Sequence, residues 1–303
     1  FSSRRRHTRY ISVTGVQTCA LPIFDTLTQI PWVDRTGSVI CDIRQSDGSE
    51  WDGCTRTVLK RQIASAAEMG VGIFGAFESE FYAATGTPAE PLPWRDGPSY
   101  STATLDRASG LLNDIVDNLQ AQGIVVEQAI NEYGPGQLEV TTKWADILRG
   151  CDTFVKLRDT VRGTAEVQHD VMASFSPKPY ADAVGSGAHL HLSAWSGDRN
   201  LMYNADSPRE ISEWGGYFIA GILDHLPALV ALTCPSYVSY ERLKPAMWAG
   251  AVAAWGYDNR ECPVRVASSF VGREEESANI EIKSVDSTCN PYLAAAEIGR
   301  AHV

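Results

Sequence analysis

The sequence is short of positive charge. Among 303 residues, Lys and Arg number 26 against 37 Asp and Glu, for a net charge of −11 at pH 7. Nucleic acid is therefore not an expected partner, because affinity for phosphate backbones is built from clustered Lys and Arg. No uninterrupted apolar run reaches the ~18 residues of a membrane span, so no membrane partner is expected either. Paired cysteines are also missing: seven stand at 19, 41, 54, 151, 234, 262 and 289, an odd count with no CxxC spacing. That excludes a zinc knot and a disulfide framework, and it predicts reduced thiols in a cytoplasmic protein. Internal repeats and low-complexity tracts are absent. A hydrophobic share of 44% and a charged share of 21% leave an ordinary globular protein with room for one large core or two domains.

Both ends lack the patterning of the middle. Residues 1–23 run from Arg4-Arg5-Arg6-His7 into a mix with no continuous apolar stretch and no clean cleavage site. They resemble translated sequencing adapter. Residues 297–303 interrupt a helical pattern begun at Tyr292 and read the same way. Both stretches are set aside as non-native, and the native chain is expected over residues 24–296.

What the middle has is acid placed beside turn-formers. Glu127 precedes Glu132-Tyr-Gly-Pro-Gly-Gln-Leu-Glu139. Glycine reaches φ > 0 and proline fixes φ, so Gly134-Pro135-Gly136 predicts a tight turn that aims Glu132 and Glu139 at one place. Carboxylates held together repel, and they stay ionised only around a cation or a shared proton. This predicts half of a divalent-metal site.

The other half is sought by periodicity. Val71–Phe81 reads as a strand with Glu78 and Glu80 on one face and Phe77 and Phe81 on the other. In Gly185–Ser193, His189, His191 and Ser193 alternate with Leu190 and Leu192. Asn279–Lys283 repeats the pattern, with Glu281 opposite Ile280 and Ile282. Further strands are expected at Ser38–Ile43, Ile124–Ile130 and Val264–Val266, and helices at Thr55–Met69, Leu105–Gln122, Ala145–Met172 and Ile211–Leu232. Thr85–Tyr100, with its four prolines, and Ser239–Gly250 read as loops. A single polar strand face usually just meets solvent, and a single histidine is usually no ligand. Here the pattern recurs on separate segments, each with an apolar reverse face. Carboxylates with an occasional imidazole suit Mg²⁺ or Mn²⁺ better than zinc. Arg242, Arg260 and Arg265 add cations suited to phosphate and carboxylate. Acids and arginines at one site fit phosphoryl transfer.

Laid out in order, these segments resemble the glutamine synthetase family. The motifs are Glu-x-Glu-Phe (78–81), the Glu127–Glu139 segment, Phe-x-Pro-Lys-Pro (175–179), Gly-Ser-Gly-x-His-x-His (185–191), Ser-Tyr-x-Arg-Leu (239–243), Asn-Arg-x-x-x-x-Arg (259–265) and Ile-Glu-Ile-Lys-Ser-x-Asp before Asn-Pro-Tyr-Leu (280–293). The resemblance implies an α+β fold: a glutamine-synthetase-like catalytic domain, an antiparallel sheet with helices, over 54–296, and a remnant of an N-terminal β-grasp domain over 24–53. It implies two Mg²⁺ or Mn²⁺ ions, one on Glu80, Glu132 and Glu139 and one on Glu78, His189 and Glu281. Glu127, Trp144, His191, Ser193 and Arg265 fall at ATP-contacting positions. Gly185, Arg242, Arg260 and Lys283 fall where glutamate or the transferred phosphate is held. The implied reaction phosphorylates the γ-carboxylate of glutamate with ATP and then displaces phosphate with an amine, in a homo-oligomeric ring.

The departures are informative. Trp248 stands where ammonia-using members carry a flap glutamate, and no acid occurs between Leu243 and Gly250. Val184 replaces an expected asparagine, and Asn279 and Lys283 replace expected arginines. Lysine keeps the charge but loses the bidentate fork. The expected acceptor is thus an amine larger than ammonia: an alkylamine, polyamine or aromatic amine. Glutamine synthetase proper is the alternative. A catalytically idle relative and a guanidino kinase are the readings from other classes, and the glutamate-rich cage argues against both.

Overall fold

The computed structural model describes residues 18–300. Its centre is a long strand, β1 (Gly72–Thr87). The main sheet adds β2 (Val126–Asn131), β3 (Gln137–Thr142), β4 (Ala188–Ser196), β5 (Trp255–Tyr257), β6 (Val264–Ala267) and β7 (Asn279–Ile282). Its spatial order is β5-β6-β7-β4-β1-β3-β2. Every step is antiparallel except β5–β6. The expected alternation holds along β1: Phe77 and Phe81 are buried in apolar clusters, and Phe77 stacks on Phe154 at 4.3 Å. Glu78 and Glu80 lie on the reverse face.

Helices cover the apolar face: α1 (Thr55–Glu68), α2 (Thr102–Ala121), α3 (Ile147–His169), α4 (Glu213–Thr233) and α5 (Pro291–Arg300). Side-chain caps set three of their starts. Ser101, Asp146 and Ser212 accept from Thr104 N, Arg149 N and Gly215 N, satisfying donors that would otherwise be orphaned. Helix α4 has the length and apolarity of a membrane span, but Phe218, Ile219, Ile222 and Leu229 pack into the main core. A cavity of about 430 Å³ opens beside it, lined by Leu59, Ile63, Ile73, Trp214 and Phe218. Its wall is apolar and holds no convergent charged groups, so the chemistry is sought on the other face.

Two loop expectations are corrected. Strand β1 runs on to Thr87 and folds back through Glu90–Pro93, with Ala84 opposite Pro93 and Gly86 opposite Pro91. Pro91 and Pro93 sit on an outer strand, where a missing N–H leaves no ladder bond broken; proline content therefore misled the reading. Ser239–Arg242 forms one helical turn at the start of the second loop.

Each of the two adapter-like stretches contributes part of an ordered element. Thr18–Pro22 pairs antiparallel with Cys41–Gln45. Helix α5 continues through Arg300, with Ile298 fully buried. The remainder of the two adapter-like stretches, residues 1–17 and 301–303, lies outside the described residues. Residues 24–53 form a second small ladder, Thr28–Gln29 with Gly37–Ser38. They dock on α3, where Lys156 Nζ donates to Thr26 O at 2.5 Å and to Thr28 Oγ1 at 3.1 Å. All seven cysteines are free thiols.

Candidate active site

Sheet register assembles the acids. Glu78 faces His189 across β1–β4, Glu80 faces Glu139 across β1–β3, and His191 faces Glu281 across β4–β7. Four adjacent strands thus present their polar positions to one side. Ligand atoms of Glu78, His189 and Glu281 all lie within 4.8 Å of one another. His189 Nδ1 is 3.4 Å from Glu78 Oε2 and 3.0 Å from Glu281 Oε1, and its Nε2 is 3.9 Å from Glu80 Oε1.

The predicted turn places the remaining acids. Gln137 N donates to Gly134 O at 3.0 Å, and Glu132 N to Gln137 O at 2.8 Å. Gly136 holds φ at +74°, a left-handed conformation that glycine adopts freely. Glu132 receives Tyr100 OH at 2.7 Å and Tyr133 N at 3.1 Å, both on Oε2. No hydrogen bond engages its Oε1 among the described residues.

The arginines divide. Arg242 is buried, and its Nη2 donates to Lys283 O at 2.9 Å and approaches His189 Nε2 at 3.3 Å. Its Nη1 is buried without a partner, a donor waiting for an acceptor. Gly185 permits this, since a Cβ there would lie 2.6 Å from Arg242 Cγ and 2.5 Å from Pro177 O. Arg265 Nε and Lys283 Nζ both donate to Glu281. Arg260 is exposed, close enough to Tyr100 for its charge to act on the phenol.

Past the Glu78–His189–Glu281 cluster, β4 turns aromatic. Trp195 Nε1 donates to Ser193 Oγ at 2.9 Å, and Trp195 stacks near-parallel on Trp144 at 6.3 Å, with Phe74 edge-on to both. Glu127 stands apart: it is exposed at a bulge of β2, and its charge acts on Arg273. Trp248 packs edge-to-face on Tyr133 at 5.7 Å, beside Glu132.

The residues that sequence reasoning missed act through long-range bonds. Gln137 Nε2 ties Glu80 Oε2 to Gly185 O, and Asn279 Oδ1 lies 2.8 Å from His191 Nδ1. Tyr100 holds Glu132 from a proline-rich loop. Gln137 had a signal in its place in the Gly-Pro-Gly-Gln turn and Asn279 in the alternation of Asn279–Lys283; Tyr100 had none.

A family description, "Glutamine synthetase, catalytic domain", matches residues 52–301. The chain belongs to the glutamine synthetase family. It is 36% identical over 280 residues to the gamma-glutamylpolyamine synthetase GlnA3 of Streptomyces coelicolor, a match covering 91% of this chain and 60% of that one. It is 34% identical over 295 residues to a glutamine synthetase of Mycobacterium tuberculosis, covering 95% and 66%. Among solved structures it superposes on a novel glutamine synthase homolog with a TM-score of 0.86 at 31% identity, covering 94% and 68%. A GmaS/ADP complex gives 0.86 at 26%, covering 97% and 68%. The chain spans about three fifths to two thirds of the length of these curated relatives. The α+β glutamine-synthetase-like fold expected from the motifs is the fold observed.

Charge divides the acids of this family site into two sets. Burial alone would raise Glu78, but His191 and His189 outweigh it and hold the carboxyl well below the usual range. Glu281 is likewise held down, against burial, by His189, Lys283 and His191. His191 is pushed up to about 9, the Glu78 charge overcoming burial. Glu139 has no such partners: burial, then Glu78, Glu80 and Glu132, push it up to about 9. Glu132 is raised by burial and by Glu80. A divalent cation fits this donor set, since it would relieve the repulsion among Glu80, Glu132 and Glu139.

A pH test follows. The Glu139 carboxyl, raised above its unfolded value of about 4.3, stabilises the fold fully below that pH, and the contribution is lost as pH climbs through about 9. Chelator-treated protein is expected to lose thermal stability across this window. Mg²⁺ is expected to raise Tm more at about pH 9 than at about pH 6. Equal shifts would show that no cation relieves these acids.

Proposed function

We propose that the protein is a γ-glutamyl amide ligase: it phosphorylates the γ-carboxylate of glutamate with ATP and passes the acyl group to an amine larger than ammonia. The observation that carries this reading is the convergence of Glu78, Glu80, Glu139 and Glu281 with His189 on one face of four adjacent strands, with Glu132 brought beside Glu80 by the turn before β3. Two Mg²⁺ or Mn²⁺ ions, on Glu78, His189 and Glu281 and on Glu80, Glu132 and Glu139, would offset the charge of the phosphate oxygens.

The chain's own groups supply the rest. The nucleotide lies along β4, its phosphates near His189 and His191 and its base near Trp144. From His189 to Trp195 a strand covers ~20 Å. Arg242, with its unpartnered Nη1, and Arg260 hold the glutamate carboxylate and the transferred phosphoryl group. Lys283 and Arg265 fix Glu281, and Asn279 fixes the His191 ring. In the second step the amine lone pair attacks the acyl carbon. The C–N bond forms, the C–O bond to phosphate breaks, and the phosphate leaves with the electron pair. One ammonium proton passes to Glu132 before attack, and the second leaves with phosphate. A water-poor site protects the acyl phosphate meanwhile. The relatives' names, one a polyamine ligase and others glutamine synthetases, support the reaction class. The same family reading carries a homo-oligomeric ring and a β-grasp origin for residues 24–53.

The test is amine- and glutamate-dependent ADP release by the full-length protein with Mg²⁺. Methylamine or a longer amine is expected to exceed ammonium in kcat/KM by at least about tenfold, the scale of one apolar group in a fitted pocket. Ammonium as the best acceptor would return the protein to glutamine synthetase proper. No glutamate-dependent turnover would favour an idle relative.

A further inference from the structure

We propose that the acceptor is a monoamine with a short hydrocarbon substituent, received as its ammonium form against the open surfaces of Trp248 and Tyr133, and not a polyamine. The inference rests on the ligase reading above and narrows it.

Four observations lead here. Trp248 and Tyr133 meet edge-to-face at 5.7 Å and 74°, and each keeps about half of its surface open. Two aromatic rings at a mouth attract an alkylammonium through their faces and bury its hydrocarbon. Glu132 lies at their base. Tyr133 N and Tyr100 OH both use its Oε2, so Oε1 is left for incoming groups. A carboxylate oxygen has two lone pairs, enough for a metal cation and an ammonium hydrogen together.

The loop that carries Trp248 is built. Arg242 and Ala249 are buried at its two ends, and Ser284 Oγ donates to Gly250 O at 3.1 Å. Between these anchors Ala246 and Trp248 hold φ at 61° and 52°. Non-glycine residues in that region carry strain, which persists where the surroundings impose the shape.

Charge selects among amines. Glu132 adjoins the aromatic pair, and the loop itself offers no second carboxylate. Residues 243–250 contain no acid, and the nearby Glu241 is already paired with Lys244 at 2.5 Å. Arg260 is close enough for its charge to act on Tyr100, the partner of Glu132, and Met247 adds a half-open apolar surface. The first ammonium of a diamine would find Glu132, but the second would find the Arg260 charge and a thioether, since Lys244 and Glu241 cancel each other. A like charge at ~6 Å in a half-solvated site costs on the order of tenfold in affinity.

The experiment uses full-length protein with ATP, glutamate and Mg²⁺, and reads ADP release. Acceptors are ammonium, methylamine, ethylamine, butylamine and 1,4-diaminobutane. Butylamine is expected to exceed 1,4-diaminobutane at least about tenfold in kcat/KM, with the short monoamines above ammonium. Trp248→Ala is expected to raise KM for the monoamines about tenfold or more while the KM for ATP stays put, and Trp248→Phe to recover most of it. A thermal melt of each variant confirms folding. Diaminobutane equal to or better than butylamine overturns the monoamine inference, and so does an unchanged monoamine KM in Trp248→Ala. ADP release with no acceptor at all defeats the ligase reading itself, a separate outcome.

Discussion

Replacing Glu281 by alanine is expected to remove activity and weaken the fold together. Its carboxylate is 1% exposed and is shared by three partners: Arg265 Nε, Lys283 Nζ at 3.0 Å and His189 Nδ1 at 3.0 Å. Removing it strands two cations and an imidazole in a buried space. Breaking a buried pair by deleting one partner costs about 3–5 kcal/mol. In the proposed reaction it also removes one ligand of a cation that stabilises the transition state, on the scale of about 10²–10³ in kcat/KM. Glu281→Gln separates the two effects in part, because the amide keeps the shape and one acceptor oxygen while losing the charge and one acceptor. It is expected to lose the activity with a smaller loss of Tm. Glu281→Gln with turnover within tenfold of wild type would remove this residue from the metal site.

Replacing Arg56 by alanine is expected to lower Tm by on the order of 10 °C with little direct effect on chemistry. Arg56 is buried and forks onto Asp152, Nε and Nη2 each at 2.9 Å from an oxygen, while Nη1 reaches Asp42 at 3.0 Å. Tyr292 OH completes the cluster on Asp152 at 2.6 Å. One guanidinium therefore ties the 41–45 strand, α1, α3 and α5 together. Without it the buried Asp152 carboxylate loses its cation, while Asp42 keeps Lys60 and Arg44. Arg56→Lys keeps one charge and loses the fork, so it is expected to fall between. Thermal denaturation of the three proteins decides this, and an alanine variant melting within about 2 °C of wild type would mean the cluster carries no net stability.

The alternations were legible because each is local. Glu78 and Glu80 against Phe77 and Phe81, or His189 and His191 against Leu190 and Leu192, follow from a backbone whose side chains change face at every residue. The Gly134–Gly136 turn was legible for the same reason, since its chemistry lies within three residues. The expected start of α2, Leu105, fell after the observed Thr102, because the Ser101 cap lies upstream of the apolar pattern. The hairpin through Pro91 and Pro93 was read as a loop because proline's cost depends on whether a strand is outer or inner, which no local window contains. Tyr100 on Glu132, Asn279 on His191 and Trp248 on Tyr133 were invisible as pairs: the partners are far apart in the chain, and even where both carry the alternation, as Asn279 and His191 do, it does not say which strands are neighbours.

The sequence by itself determined which side chains could face a site and which must face the core, because a two-residue period and the aversion of apolar groups to water leave little choice. It also placed the chain in its family through motifs whose order needs no coordinates. Only the tertiary structure decided that Glu78, Glu80, Glu139, His189 and Glu281 share one wall, that Arg242 keeps an unmatched N–H, and that an aromatic pair stands over Glu132. Those are properties of strand order and register. They are set by how the helices close over the opposite face, and so by every residue of the sheet at once.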